Sequence, residues 1–205
     1  MTTKEKATAE RRAQILTAAM TCFIRKGYYR ATMDDIVAES GLSKGTLYWY
    51  FKSKKELFLA LVKSIMQQIE YGWRAQIDDP NKSATERLRL TTTLFRVELS
   101  EMAPFFGIMM EAWALTRHDP DVELLVKDMY IPYLDIMNRI IIEGIASGEF
   151  ELDSAEATAM VIMILYDGLT LAKSLELLEV EWDKLLDATE LLLFRGLGAG
   201  NGRES

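Results

Sequence analysis

The chain has 205 residues, 49% of them hydrophobic, and a formal net charge of −7. That is length for one domain or two small ones, with apolar material for a sizeable core. One cysteine (Cys22) and one histidine (His118) exclude a disulfide framework, a cysteine-based zinc site and a histidine metal cluster, so no cofactor is expected.

Charge is unevenly spread. Residues 1–55 carry eleven Lys+Arg against five Asp+Glu, whereas residues 56–205 carry thirteen against twenty-six. A basic head on an acidic body suits a polyanion partner; clustering on a solvated face is the plain alternative. The polar start Met-Thr-Thr-Lys-Glu-Lys lacks a signal-peptide core. The longest strongly apolar run, Met160 to Tyr166, is short of a membrane span, which predicts a soluble, cytoplasmic protein.

Residues 1–9 are polar and read as a mobile arm, with Lys4 and Lys6 in reach of phosphates. A first helix follows from Glu10 to Lys26, with Leu16, Ala19, Met20 and Phe23 at helical spacing and Gly27 ending it. Thr32 and Asp35 form a capping box that opens a second helix to about Ser40, burying Ile36 and Val37. Gly41 turns the chain, Leu42 packs inward, and Ser43 caps a short third helix carrying Lys44, Thr46, Tyr48, Trp49 and Tyr50, with Leu47 and Phe51 facing the core. Helix, glycine turn, helix is the helix-turn-helix arrangement, whose second helix enters the major groove.

Ser53 and Glu56 predict a long helix to Asp78, about 39 Å at ~1.5 Å per residue, stopped by Asp79-Pro80-Asn81. Ser83 and Glu86 open another to about Glu101. From Pro104 to Leu115 the chain is apolar all round, which predicts a helix buried on every side. His118-Asp-Pro-Asp breaks it, with Pro120 at a first helical position. Asp121 to Ala146 follows, with Pro132 inside to kink it or free a carbonyl. Asp153 caps a helix to about Leu178, and Glu181 to Arg195 forms the last before a loose glycine-rich tail. The fold class is all-α, with about nine helices and no strand pattern.

Between Thr32 and Phe58 the sequence resembles the TetR family of bacterial transcriptional repressors. The likeness rests on the Gly27-Tyr28 step, Thr32, Ile36-Val37-Ala38, Gly41-Leu42-Ser43, the run Gly45-Thr-Leu-Tyr-Trp-Tyr-Phe-Lys52, and Lys54 to Phe58. A weaker likeness joins Glu143-Gly-Ile-Ala-Ser-Gly-Glu-Phe150 with Tyr166-Asp-Gly-Leu169. The resemblance implies a homodimer with a DNA-binding domain at 1–52 and a ligand-binding and dimerisation domain at 53–205. It places Ser43, Lys44, Gly45, Thr46, Tyr48 and Trp49 in or beside the groove, and Thr32, Tyr50 and Lys54 on phosphates. The segment lacks the Arg, Asn or Gln suited to bidentate base reading, so specificity leans on thymine methyls, Lys44 and DNA shape.

Two further sets of residues carry a bland and a functional reading. Trp73, Phe95, Phe106, Met109, Met110, Trp113, Tyr130, Tyr133, Met137, Met163 and Tyr166 are each core candidates; together they suit a pocket for a hydrophobic effector. Arg96, Arg117 and Arg139 are the main cations on offer. A neutral or cationic ligand fits best, or an acyl chain with its head elsewhere. Glu98, Glu111 and Asp135 are candidates to face a cation, though an exposed carboxylate is the simpler reading for each. Met160, Ile164, Gly168, Leu171 and Leu175, with Leu186, Thr189 and Leu193, read either as monomer core or as a dimer stripe. Gly168 costs about 1 kcal/mol of helix stability relative to Ala, which a close helix approach would justify.

The function expected is a dimeric, ligand-responsive repressor. It would bind a palindromic operator in double-stranded DNA and be released by a small hydrophobic effector. A ligand-independent DNA organiser of the same fold and a helical enzyme are the alternatives. The glycines at 41 and 45 lack the order of a phosphate-binding loop, and no nucleophile triad is visible.

Overall fold

In a computed structural model, residues 2–79, 81–101, 103–175 and 179–198 are described. They form nine helices and no strand: α1 (Thr3–Arg30), α2 (Met33–Ser40), α3 (Lys44–Tyr50), α4 (Lys54–Ile77), α5 (Ala84–Glu101), α6 (Ala103–Leu115), α7 (Pro120–Ser147), α8 (Ala155–Ser174) and α9 (Trp182–Gly196). Pro80 as a helix stop, Leu178 as a helix end and the tail beyond Gly198 lie outside the described residues; the start of that tail is not loose, since Leu197 is buried and its carbonyl accepts the Glu151 N–H at 3.0 Å.

The chain divides into two compact units that are not contiguous in sequence. One comprises Met1–Gln67 with Pro104–Lys127, the other Gln68–Ala103 with Asp128–Ser205. In the first, Ile15, Ala19, Cys22 and Phe23 of α1 are buried, as are Ile36, Leu47, Phe51, Leu57, Phe58 and Val62. Phe58 meets the Phe23 ring edge-on at 5.6 Å and lies 4.5 Å from the Tyr28 ring. Val37 and Leu42, expected to pack inward, are only half-buried.

Residues 3–9 are not an arm but the first turns of α1. Thr2 accepts the Glu5 N–H and the Glu5 carboxylate accepts the Thr2 N–H at 2.7 Å, a capping box that starts the helix early. Gly27 breaks α1 at φ 74°, and one more turn runs to Arg30. The break is clamped: the Tyr28 N–H donates to the Glu111 carboxylate of α6 at 2.6 Å. Glu111 is the one charge in the run from Phe105 to Leu115, and it is half-buried rather than exposed. Nor is α6 buried on every side, since Gly107 and Ala114 are exposed and Phe106, Met110 and Trp113 half-buried.

In the second unit the core is built by Trp73 and Ile77 of α4, Leu88, Thr91, Phe95 and Leu99 of α5, Ile136, Met137, Ile140 and Ile141 of α7, and Ile162 and Tyr166 of α8. Ser83 and Glu86 complete their capping box, and the Glu149 carboxylate accepts the next free donors, the N–H groups of Ala84 and Thr85. Phe150 is held against Gly144, whose carbonyl accepts its N–H at 3.0 Å; a Cβ on Gly144 would stand 2.1 Å from the Phe150 ring. That close approach is the physical content of the glycine in the Glu143–Phe150 segment. Ser154, not Asp153, caps α8. Pro132 sits inside a helix that stays continuous across it, leaving the Asp128 carbonyl without its helical donor. α8 is long and apolar enough, by length and composition, to cross a membrane, which the run Met160–Tyr166 alone does not reveal.

Candidate nucleic-acid interface

The geometry of Thr32 to Phe51 follows from its caps. Thr32 Oγ1 accepts the Asp35 N–H at 3.1 Å and Asp35 accepts the Thr32 N–H at 3.0 Å. Lys26 pairs with Asp35 at 2.7 Å, tying α1 to the start of α2. The Lys26 ammonium and the Thr32 donors hold the Asp35 carboxyl down at about 2. Gly41 takes φ 66°, a left-handed conformation natural to glycine, and turns the chain into α3. Ser43 caps α3 by accepting the Thr46 N–H at 3.1 Å.

α3 presents a mixed surface. Ser43, Lys44, Gly45 and Trp49 are exposed, Trp49 at 66%, and Thr46, Tyr48 and Tyr50 are half-buried, while Leu47 alone faces fully inward. Trp49 and Tyr50 meet edge to face at 4.7 Å. None of the three consecutive aromatics is a core residue, as their spread around the helix requires. Lys44 pairs with Asp34 at 2.7 Å and stands 6.0 Å from the Tyr48 ring. Thr32 is exposed, with its hydroxyl engaged in capping.

Lys54 has a different place from that of a free phosphate ligand. Its ammonium donates to the carbonyls of Tyr28, Tyr29 and Ala31 at 2.8, 3.1 and 3.0 Å and lies 4.6 Å from the Tyr28 ring. All three donors therefore cap the end of α1. Lys52 similarly caps α3 through the Tyr48 and Trp49 carbonyls. Lys55 pairs with Asp119 and Asp121 at the start of α7.

The expected pocket residues are distributed over both units. Phe106, Met109, Met110 and Trp113 belong to the first, with Met109 buried; Trp73, Phe95, Tyr130, Tyr133, Met137, Met163 and Tyr166 belong to the second. Phe95 and Tyr166 stack at 4.2 Å, and the cavity beside them is about 10 Å³, too small for an organic ligand, so these two are core. Trp73 meets Tyr133 edge-on at 5.4 Å and donates its indole N–H to Glu98. Burial pushes the Glu98 carboxyl up to about 7, against the pull of that hydrogen bond. Reading Glu98 as an exposed carboxylate therefore does not hold, whereas Asp135 is exposed. Tyr130 donates to Asp167 at 2.8 Å, and Met137 is fully buried, with Met163 half-buried. Arg96 pairs with Asp183 and Asp187 beside an open cleft of about 440 Å³. Arg139 pairs with Asp78.

On α8, Met160, Ile164 and Gly168 are exposed, Leu171 is half-buried and Leu175 exposed. Leu186 of α9 is buried within the protomer, and Thr189 and Leu193 are half-buried; the exposed apolar residues there are Leu191 and Leu192. The roles of Glu111, Lys54 and Glu149 escape a sequence reading, because each depends on a backbone group far along the chain. Only the isolation of Glu111 in an apolar run is a visible signal.

Residues 15–61 match the family model described as bacterial regulatory proteins, tetR family. Over 167 residues the chain is 32% identical to an uncharacterized HTH-type transcriptional regulator, YfiR of Bacillus subtilis, covering 78% of each chain. Among solved structures, a putative transcriptional regulator from Saccharomonospora viridis in complex with choline is 22% identical with TM-score 0.80, covering 90% of this chain and 96% of that one. FadR from Bacillus subtilis in complex with stearoyl-CoA is 23% identical with TM-score 0.75, covering 90% and 98%.

Proposed function

The chain belongs to the TetR family of bacterial transcriptional regulators, and from that premise we propose that it is a dimeric repressor released from a palindromic operator by a small hydrophobic effector. The observation that carries the DNA contact is α3, a capped helix whose exposed groups are Ser43, Lys44, Gly45 and Trp49. Hydroxyls and ammonium groups bind phosphate oxygens and position the protein; base edges and DNA shape set the sequence. Two such helices about 34–36 Å apart would read successive major grooves. Residues 1–52 then serve as the DNA-binding domain and 53–205 as the effector and dimer domain. A protein of this role works in the cytoplasm, where the DNA is.

Support for a dimer is the exposed apolar face of α8, with Ile164 at 69% and Val161 at 62% exposed, and Leu191 and Leu192 are exposed on α9 as well. Glu98 supports the choice of effector class. A carboxylate perturbed by burial among Trp73 and Tyr133 suits a neutral or cationic hydrophobic molecule. The solved structures with choline and with stearoyl-CoA concern other proteins, and they represent a cation and an acyl chain. Effector must bind the two dimer geometries unequally, since only differential affinity shifts the equilibrium.

Selection of bound fragments from genomic DNA tests the reading. Tyr48→Ala is expected to weaken binding to the selected fragment at least tenfold with an unchanged melting temperature. Wild-type affinity for Tyr48→Ala at matched salt removes α3 from the interface. A hydrophobic binder found by thermal shift is expected to release the fragment. If a bound compound leaves affinity unaltered, the switch fails and a ligand-independent DNA organiser remains.

A further inference from the structure

The N-terminal turns of α1 form a surface that the helix-turn-helix leaves unexplained. Residues 5–14 are helical and all exposed, so nearly three turns of helix bury no side chain of their own. At 3.6 residues per turn, Thr8, Arg11, Arg12, Ile15, Ala19 and Cys22 share one face. Farther along, that face packs inward, and Ile15, Ala19 and Cys22 are each 0% exposed. Toward the N-terminus the same face turns basic, at Arg11 and Arg12. The turning point lies against the helix-turn-helix. The Gln14 amide donates to the Ser40 carbonyl at the end of α2 at 2.8 Å and accepts from Arg11 at 2.9 Å. The Arg12 guanidinium stands 5.4 Å from the ring of Phe51, the residue that ends α3.

Neighbouring charges sharpen the contrast. Arg25, Lys26, Lys44 and Lys55 are all in ion pairs, and Lys52 and Lys54 donate to backbone carbonyls. Among the described residues, Arg11, Arg12 and Lys6 form no ion pair. We propose that the first turns of α1 are a second DNA-contacting element, in which Arg11 and Arg12 bind duplex phosphates flanking those reached by α3. The proposal rests on the DNA reading above. A helix face that keeps its packing register while exchanging apolar side chains for guanidinium groups is complementary to a polyanion lying beside the recognition helix. The helix carries Lys6 and Glu10 on the opposite face, which overturns the expectation of Lys6 on a mobile arm in reach of phosphates and makes it an internal control.

The test uses the full chain and a random-sequence duplex of about 30 base pairs, because phosphate binding does not depend on sequence. Fluorescence anisotropy is followed from about 50 to 200 mM salt. Arg11→Ala and Arg12→Met are each expected to lower the slope of log affinity against log salt by about 0.9 for every phosphate that the variant leaves unneutralised. Methionine keeps an apolar stem against Phe51, and thermal melts check that both variants fold. Lys6→Ala is expected to keep the wild-type slope. A wild-type chain that binds the duplex, with Arg11→Ala and Arg12→Met unchanged in slope, overturns the second element and leaves the DNA reading standing. An equal drop in slope for Lys6→Ala overturns it as well, by making the effect one of general charge. Wild-type slopes accompanied by altered self-association overturn it too, and assign the face to a second copy of the chain. A wild-type chain that binds no duplex overturns both readings.

Discussion

Asp35 in the first unit and Glu98 in the second are both carboxylates, yet their environments drive them apart. Asp35 sits at a helix start, where the Lys26 ammonium and the Thr32 donors hold it at about 2. Glu98 has the Trp73 indole as hydrogen-bond donor, and burial raises it to about 7. Both units use charge at helix ends, where the groups stay near water and organise backbone, as Asp35 does in the first and Glu149 in the second. The second also places a carboxyl, Glu98, beside the Trp73 indole, where burial disfavours the charged form. The contrast separates a carboxylate held charged by its partners from a carboxyl held near neutrality by burial.

The largest effect expected comes from Gly144→Ala in the second unit. A Cβ 2.1 Å from the Phe150 ring forces the ring or the helix to move, at about 3 kcal/mol in urea unfolding. Combining it with Phe150→Ala is expected to cost less than the two changes added, because the clash is then gone. Full additivity would show that the close approach is not what Gly144 provides.

Lys54→Met comes next, in the first unit. Three carbonyls lose their donor while the apolar stem is kept, and about 2 kcal/mol of thermal stability should go with them. Operator affinity measured below the melting transition should change little. A stable variant with weakened binding would return Lys54 to the phosphates.

Titration separates the units most directly. The Glu98 carboxyl has a folded pKa above its unfolded value near 4.3, so between about pH 4.3 and 7 the folded state binds more protons. Stability from this group therefore falls as pH rises through that window. Glu98→Gln is expected to flatten the fall between about pH 4.3 and 7 in denaturant unfolding, and wild-type tryptophan fluorescence should titrate with a midpoint near 7. Asp35 has the opposite sign: its contribution is present above about pH 4 and lost as pH falls towards 2. An unchanged pH profile in Glu98→Gln would end the comparison.

The smallest effect is that of Thr32→Ala, about 1 kcal/mol for a lost N-cap, read as a shift in melting temperature. It tests whether the head's local signals act locally.

Sequence reading did best where the determining interaction spans three or four residues. Thr32 with Asp35, Ser83 with Glu86, Ser43 before α3 and Gly41 at the turn are all legible, because capping and left-handed turns depend on near neighbours. The reading of residues 3–9 as an arm missed a box of the same kind at Thr2 and Glu5. Exposed and buried apolar residues on the last helices are not separable by such local rules. Leu186 and Ile164 are alike in type and spacing, yet one is buried and the other 69% exposed.

The amino-acid pattern by itself determined an all-α chain, its helix-turn-helix and its family, since periodicity, caps and residue types at α2 and α3 are local properties. The tertiary structure decided which charges are at liberty. Lys54 is drawn onto carbonyls 23 to 26 residues away, Glu111 onto the Tyr28 amide 83 residues away, and Glu98 into an aromatic setting that alters its proton affinity. Those assignments depend on which groups burial leaves without water, and that is settled only when distant helices pack.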